Sequence, residues 1–182
     1  FHPHGAAAVG VHFDRPGGVA VPDVGHDASG EGFVVLGIVD FQLEGARMPD
    51  GFVVPRHLAA VDLDRRTNIY IANIVKCRPP ENRDPAPEEV AACLDYLREQ
   101  TRILAPKIIV CLGRISATRI IDPGFKVTKQ HGQWVEKGGI HMMGTFHPAA
   151  LLRNPGNKPG ALEDFLGLRE KIRQLCPEVY EL

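Results

Sequence analysis

Three short stretches hold side chains whose types and neighbours suit chemistry. In Thr145-Phe146-His147-Pro148-Ala149-Ala150-Leu151-Leu152-Arg153 a histidine precedes a proline. Proline disfavours the α region for the residue before it, so the His147 backbone is expected to be extended and its imidazole held at a defined angle. Two leucines and an arginine follow, then Asn154-Pro155-Gly156, a turn sequence. An apolar wedge beside a cation on a loop can part stacked bases while holding a phosphate. The same string also fits a capped histidine whose neighbouring leucines fold back into the core. Asn73 interrupts the apolar run Ile69 to Val75. Its amide needs partners, because an unpaired buried amide costs about 1–3 kcal/mol. Backbone groups could supply them, and so could the O4 and N3 edge of a pyrimidine, which a carboxamide matches with its one donor and one acceptor face. Cys77, in Lys76-Cys77-Arg78-Pro79-Pro80, lies in a polar segment with no core to join, which suits a ligand or a reactive thiol.

These groups need a scaffold. Phe33 to Ile38, Ile69 to Val75, Lys107 to Leu112 and Ile140 to Phe146 are continuous apolar runs of strand length. Continuous rather than alternating runs predict strands covered on both faces, hence parallel strands joined by helices. Pro87-Glu88-Glu89 opens a predicted helix with proline and two carboxylates in its first turn. Val90, Cys93, Leu94, Leu97, Thr101 and Leu104 recur in it at helical spacing, and Pro106 ends it. A short helix is expected over Ile115 to Ile121. A closing helix is expected over Ala161 to Leu175, with Leu162, Phe165, Leu166, Leu168 and Ile172 on one face. The fold class predicted is α/β, a three-layer α/β/α sandwich around a central four-stranded parallel sheet. It is read as a single domain over residues 1–182, with residues 1–32 an irregular N-terminal segment rich in Gly, Ala, Pro and His. Ligands of such sheets bind outside the carboxyl ends of the strands, where all three stretches lie.

Composition narrows the function classes. With 182 residues, 44% hydrophobic and 24% charged, the chain can bury a core, and collagen-like, coiled-coil and disordered classes are excluded. No apolar run approaches the roughly 18 residues of a membrane span, so no membrane partner is expected. Net charge is −1, yet residues 102–160 carry nine basic side chains against two acidic ones. That asymmetry can make one face attractive to phosphates, although scattered solvated lysines would give the same count. The four cysteines are widely spaced and no secretory signal is visible, so a reducing, cytoplasmic compartment is expected.

The stretch Asn68 to Arg83, followed by Ala92-Cys93, Pro106 to Arg114, His131-Gly132-Gln133-Trp134 and the His147 segment, resembles the family 4, iron–sulfur type of uracil-DNA glycosylase. The resemblance runs from about Leu63 to Arg173, some three fifths of the chain. It implies that Asn73 reads the uracil edge and that His147 donates to uracil O2. It further implies that Asn82 lies near the flipped nucleotide, and that Leu151, Leu152 and Arg153 form a minor-groove intercalating loop. Phe52, or alternatively Phe41, would stack on uracil; Asp40 and Glu44 are candidates to orient the water, and either fits a solvated loop carboxylate equally well. The implied partner is uracil-containing DNA, single- or double-stranded, met by a monomer. The implied cofactor is a [4Fe-4S] cluster, with Cys77 and Cys93 as two of its four ligands.

Two features depart from that family. Its opening Cys-x-x-Cys pair has no counterpart, since no cysteine precedes Cys77, and His2 and His4 are weak substitutes. Its Gly-Glu-x-Pro-Gly motif is replaced by Gly37-Ile38-Val39-Asp40-Phe41. The alternative function is therefore a catalytically impaired member that binds uracil or nucleic acid without releasing base.

Overall fold

The computed structural model describes the backbone of residues 35–39 together with residues 58–59, 61–63, 68–77 and 79–180, the side chain of Asn82 apart. Strands β1 (Val35–Val39), β2 (Ile69–Asn73), β3 (Ile108–Leu112), β4 (Trp134–Lys137) and β5 (Ile140–Thr145) alternate with helices. The helices are α1 (Pro87–Leu104), α2 (Arg114–Ile120), α3 (Val127–Gln130), α4 (Pro148–Arg153) and α5 (Lys158–Leu175). The sheet order is β2-β1-β3-β5-β4. The pairs β1–β2, β1–β3 and β3–β5 are parallel, whereas β4 runs antiparallel to β5 along the edge. The sheet is therefore five-stranded and mixed, where the apolar runs alone predict four strands, all parallel. The added strand comes from a hairpin: β4 and β5 are joined by Gly138-Gly139, both at positive φ (58° and 79°), the backbone that a two-residue turn requires.

Hydrophobic burial explains why the helices lie where they do. Ile69, Ile108, Val110, Leu112 and Met143 form one face of the sheet, against which Phe165, Leu168 and Ile172 of α5 pack. Residues of opposite parity meet other helices. Gln100 of α1 donates to the Tyr70 hydroxyl at 3.1 Å, and Gly144 is approached so closely by Phe125 and Ala117 that a Cβ there would overlap the Phe125 ring. The apolar stripe of α5 differs from the one expected. Ala161, Asp164, Phe165, Leu168 and Ile172 are buried, while Leu162 and Leu166 face outward. The helix also starts at Lys158 rather than Ala161, because Pro159 in its first turn loses no hydrogen bond. Among the described residues no helix is long and apolar enough to cross a membrane.

Topology fixes where a ligand can sit. From β1 the chain moves outward to β2 on one side, while β3 and β5 lie on the other, so the winding reverses between β1 and β3. The carboxyl ends of strands flanking such a reversal form the binding crevice of an open α/β sheet.

Candidate active site

Four residues define that rim. Asn73, Val39, Leu112 and Thr145 are in register across β2, β1, β3 and β5. Asn73 thus ends one side of the crevice, and His147, two residues past Thr145, ends the other. Three strand spacings of about 4.8 Å put the Asn73 and Thr145 backbones roughly 14 Å apart. Asn73 is half-buried at its end of the rim, and His147 is buried at the other.

His147 is held tightly. Its backbone is extended (φ −69°, ψ 139°), as proline at the next position demands, and it caps α4. The Ala149 N–H donates to His147 Nδ1 at 3.1 Å. With Nδ1 accepting, the proton of the neutral ring belongs on Nε2, which makes Nε2 the donor. The residue is only 6% exposed. Gly113, at the end of β3, has φ 97°, and a Cβ there would stand 2.9 Å from His147 Cβ. Its N–H donates to the Thr145 carbonyl at 2.8 Å. Only glycine satisfies both the backbone angle and the contact. Gly113→Ala is expected to lose about 1–3 kcal/mol of stability through strained backbone and to displace the imidazole. Chemical denaturation would measure the first effect, and the His147 ring resonances the second.

Asn73 is anchored through its backbone. The Lys76 ammonium donates to the Asn73 carbonyl at 3.0 Å and to Gln100 Oε1 at 2.6 Å, and the Gln100 amide continues to Tyr70. A cation on the last carbonyl of β2 fixes the strand end from which the carboxamide projects.

Asn82 lies in a 3₁₀ turn, Pro80–Asn82. Two ion pairs tie down the residues after it. Arg83 forks onto Glu89 of α1 with both bonds at 2.8 Å, and Asp84 pairs with Arg114 of α2. The guanidinium holds the Glu89 carboxyl below the usual carboxylate range, helped by the Ala86 N–H. The fork is therefore complete at neutral pH. It is lost as acid protonates Glu89, at a pH below that of a free glutamate.

The structure separates the residues of the expected intercalating loop. Pro148–Arg153 is a helix, not an irregular loop, and it turns Leu151 inward to 1% exposure against Phe146 and Ala161. Leu152 is 44% exposed, and Arg153 is exposed beside it. Phe41, Phe52, Asp40, Glu44, His2, His4 and residues 1–32 lie outside the described residues.

The cysteines divide into two pairs. Cys93 of α1 accepts the Lys76 N–H on Sγ at 3.3 Å, which brings it against the chain next to the exposed Cys77. Among the described residues no group of three or more His, Cys, Asp or Glu side chains is placed to hold a metal ion. The other two cysteines are core residues: burial pushes the Cys111 thiol up to about 12 and that of Cys176 up to about 11. A cubane cluster takes four thiolates. The described residues offer half of that set and do not fit the group by themselves. Treating the folded protein with a thiol alkylating agent near neutral pH should modify Cys77 and spare Cys111 and Cys176, as read by mass spectrometry of digests.

Sequence reasoning passed over one buried cluster at the same rim. Asp164 of α5 receives the Thr145 hydroxyl proton in a hydrogen bond and faces His131 Nδ1, which lies 2.9 and 3.0 Å from its two oxygens. The signal was present: Asp164 sits on the helical stripe of Ala161, Phe165 and Leu168, where a carboxylate needs partners.

Several known proteins are similar to this chain in sequence. The Type-4 uracil-DNA glycosylase of Archaeoglobus fulgidus is 40% identical over 134 residues, 69% of this chain and 65% of that protein. That of Thermotoga maritima is 47% identical over 97 residues, covering 52% of this chain and 50% of that protein. That of Sulfurisphaera tokodaii is 43% identical over 113 residues, 58% of this chain and 51% of that protein. The chain thus matches between half and 65% of the length of these relatives. The profile of the uracil DNA glycosylase superfamily matches residues 31–167, from before β1 into α5, and the chain belongs to that superfamily.

Proposed function

We propose that this protein is a DNA repair glycosylase. It flips deoxyuridine out of DNA and hydrolyses the N-glycosidic bond, releasing uracil and leaving an abasic site. The observation that carries this reading is the registered rim, with Asn73 and His147 at opposite ends of the crevice where the sheet winding reverses. Relatives named as Type-4 uracil-DNA glycosylases support the substrate class.

The chemistry follows from the residues. A base inside a duplex cannot be reached, so the nucleotide is extruded at a few kcal/mol of unstacking. Leu152 occupies the gap and Arg153 holds the backbone. Asn73 pairs with the O4 and N3 edge and rejects cytosine, whose exocyclic amine puts a donor where uracil has an acceptor. Cleavage develops negative charge on the leaving uracil, and His147 Nε2–H donates to O2 to stabilise it. Phe52, or alternatively Phe41, stacks on the ring, Asn82 contacts the extruded nucleotide, and Asp40 and Glu44 are the candidates to orient the attacking water. In this reading a single three-layer domain acts as a cytoplasmic monomer. A [4Fe-4S] cluster on Cys77 and Cys93 would need two further ligands from outside the described residues.

A single-stranded oligonucleotide carrying one uracil tests the proposal. The wild-type protein should produce an alkali-labile site, and Asn73→Asp should be much weaker on uracil. The loss of the Gly-Glu-x-Pro-Gly motif favours the second reading, a binding module, which would show salt-sensitive DNA binding with no base release.

A further inference from the structure

We propose that Asp164 is a positioning residue for base excision: through Thr145 and His131 it fixes the strap 145–147 that presents the His147 imidazole. The inference rests on the glycosylase reading for its catalytic consequence, though not for its geometry. Asp164 is 6% exposed, and a buried carboxylate is expensive to keep unless several donors meet it. Two meet it here. The Thr145 hydroxyl donates to Oδ2, and His131 Nδ1 lies 2.9 and 3.0 Å from the two oxygens.

Each contact acts on the strap. Thr145 is its first residue, and the Thr145 carbonyl also takes the Gly113 N–H. The His131 ring lies against Phe146, the second residue, with centroids 4.6 Å apart and planes at 47°. His147, the third, rests on Gly113. The surroundings are built around the pair. A Cβ at Gly132 would collide with the Asp164 carboxylate, and one at Gly160 would press on the His131 ring at 3.1 Å. An apolar residue at 164 would serve packing at least as well as an ion, since buried polar clusters are weak contributors to stability. What the carboxylate adds is direction: it holds one β5 rotamer and one ring orientation beside the reacting base.

Thr145→Val keeps the shape and deletes the hydroxyl donor, whereas Thr145→Ser keeps the donor. In single-turnover and steady-state assays on a uracil oligonucleotide, Thr145→Val and Asp164→Asn should lower kcat by about tenfold, because small displacements of a catalytic group are costly, and leave KM within about twofold. Thr145→Ser should behave as wild type. The His147 ring signals in long-range ¹H–¹⁵N spectra of the DNA-free protein should move in Thr145→Val and Asp164→Asn but not in Thr145→Ser. Wild-type kcat in Thr145→Val overturns the proposal whatever the ring signals do, as does a loss of melting temperature without a change in kcat. Should the wild-type protein itself release no uracil, the glycosylase reading fails, and the ring signals alone then decide whether Asp164 sets the His147 geometry. Unmoved signals overturn that too.

Discussion

Replacing His147 with asparagine should leave the protein folded and lower uracil release by a factor on the order of 10²–10³, the usual loss when one preorganised donor to a developing oxyanion is removed. Asparagine is the informative choice because His147 has two jobs. Its Nδ1 caps α4 by accepting the Ala149 N–H. Alanine would remove that cap as well, at about 1 kcal/mol. Asparagine is a good N-cap and preserves it, yet cannot place a donor where imidazole Nε2–H points. The melting temperature should therefore stay close to wild type in His147→Asn and drop in His147→Ala, while both lose kcat and both retain DNA affinity. Near-normal turnover by His147→Asn would show that the ring is only a helix cap.

Much of the scaffold is legible in the amino-acid sequence. Strands covered on both faces cannot alternate, so the runs at Ile69, Ile108 and Ile140 announce parallel pairing, and His147 follows the end of the last run. The ends of the runs misled where burial outlasts the strand. Ile74 and Val75 are fully buried although β2 stops at Asn73. The hairpin strand β4 escaped because only two of its four residues are partly buried, although Gly138-Gly139 marked its turn. Helix α4 escaped for a different reason: six residues are too few to show a period, and Leu-Leu-Arg before a turn reads equally as loop. For Asp164 the two signals compete: its neighbour Glu163 gives the pair the look of solvated surface, and only its place on the stripe of Ala161, Phe165 and Leu168 marks it as buried.

The short helix α4 makes the two adjacent leucines opposites, and this gives the second large effect. Leu151, buried at 1% against Phe146 and Ala161, should cost about 2–5 kcal/mol when cut to alanine, since the removed methyl groups leave a void next to the His147 strap. Leu152, exposed at 44%, has no such role, and Leu152→Ala should change stability by no more than about 0.5 kcal/mol. Activity should sort them the other way by substrate. A wedge is needed only where bases are stacked, so Leu152→Ala should lose turnover on duplex DNA and keep most of it on a single strand. Leu151→Ala, if assayed well below its lowered melting temperature, should affect both substrates alike. Equal losses on duplex and single strand for Leu152→Ala would mean that the exposed leucine parts nothing. The apolar element entering the helix would then have to be sought outside α4.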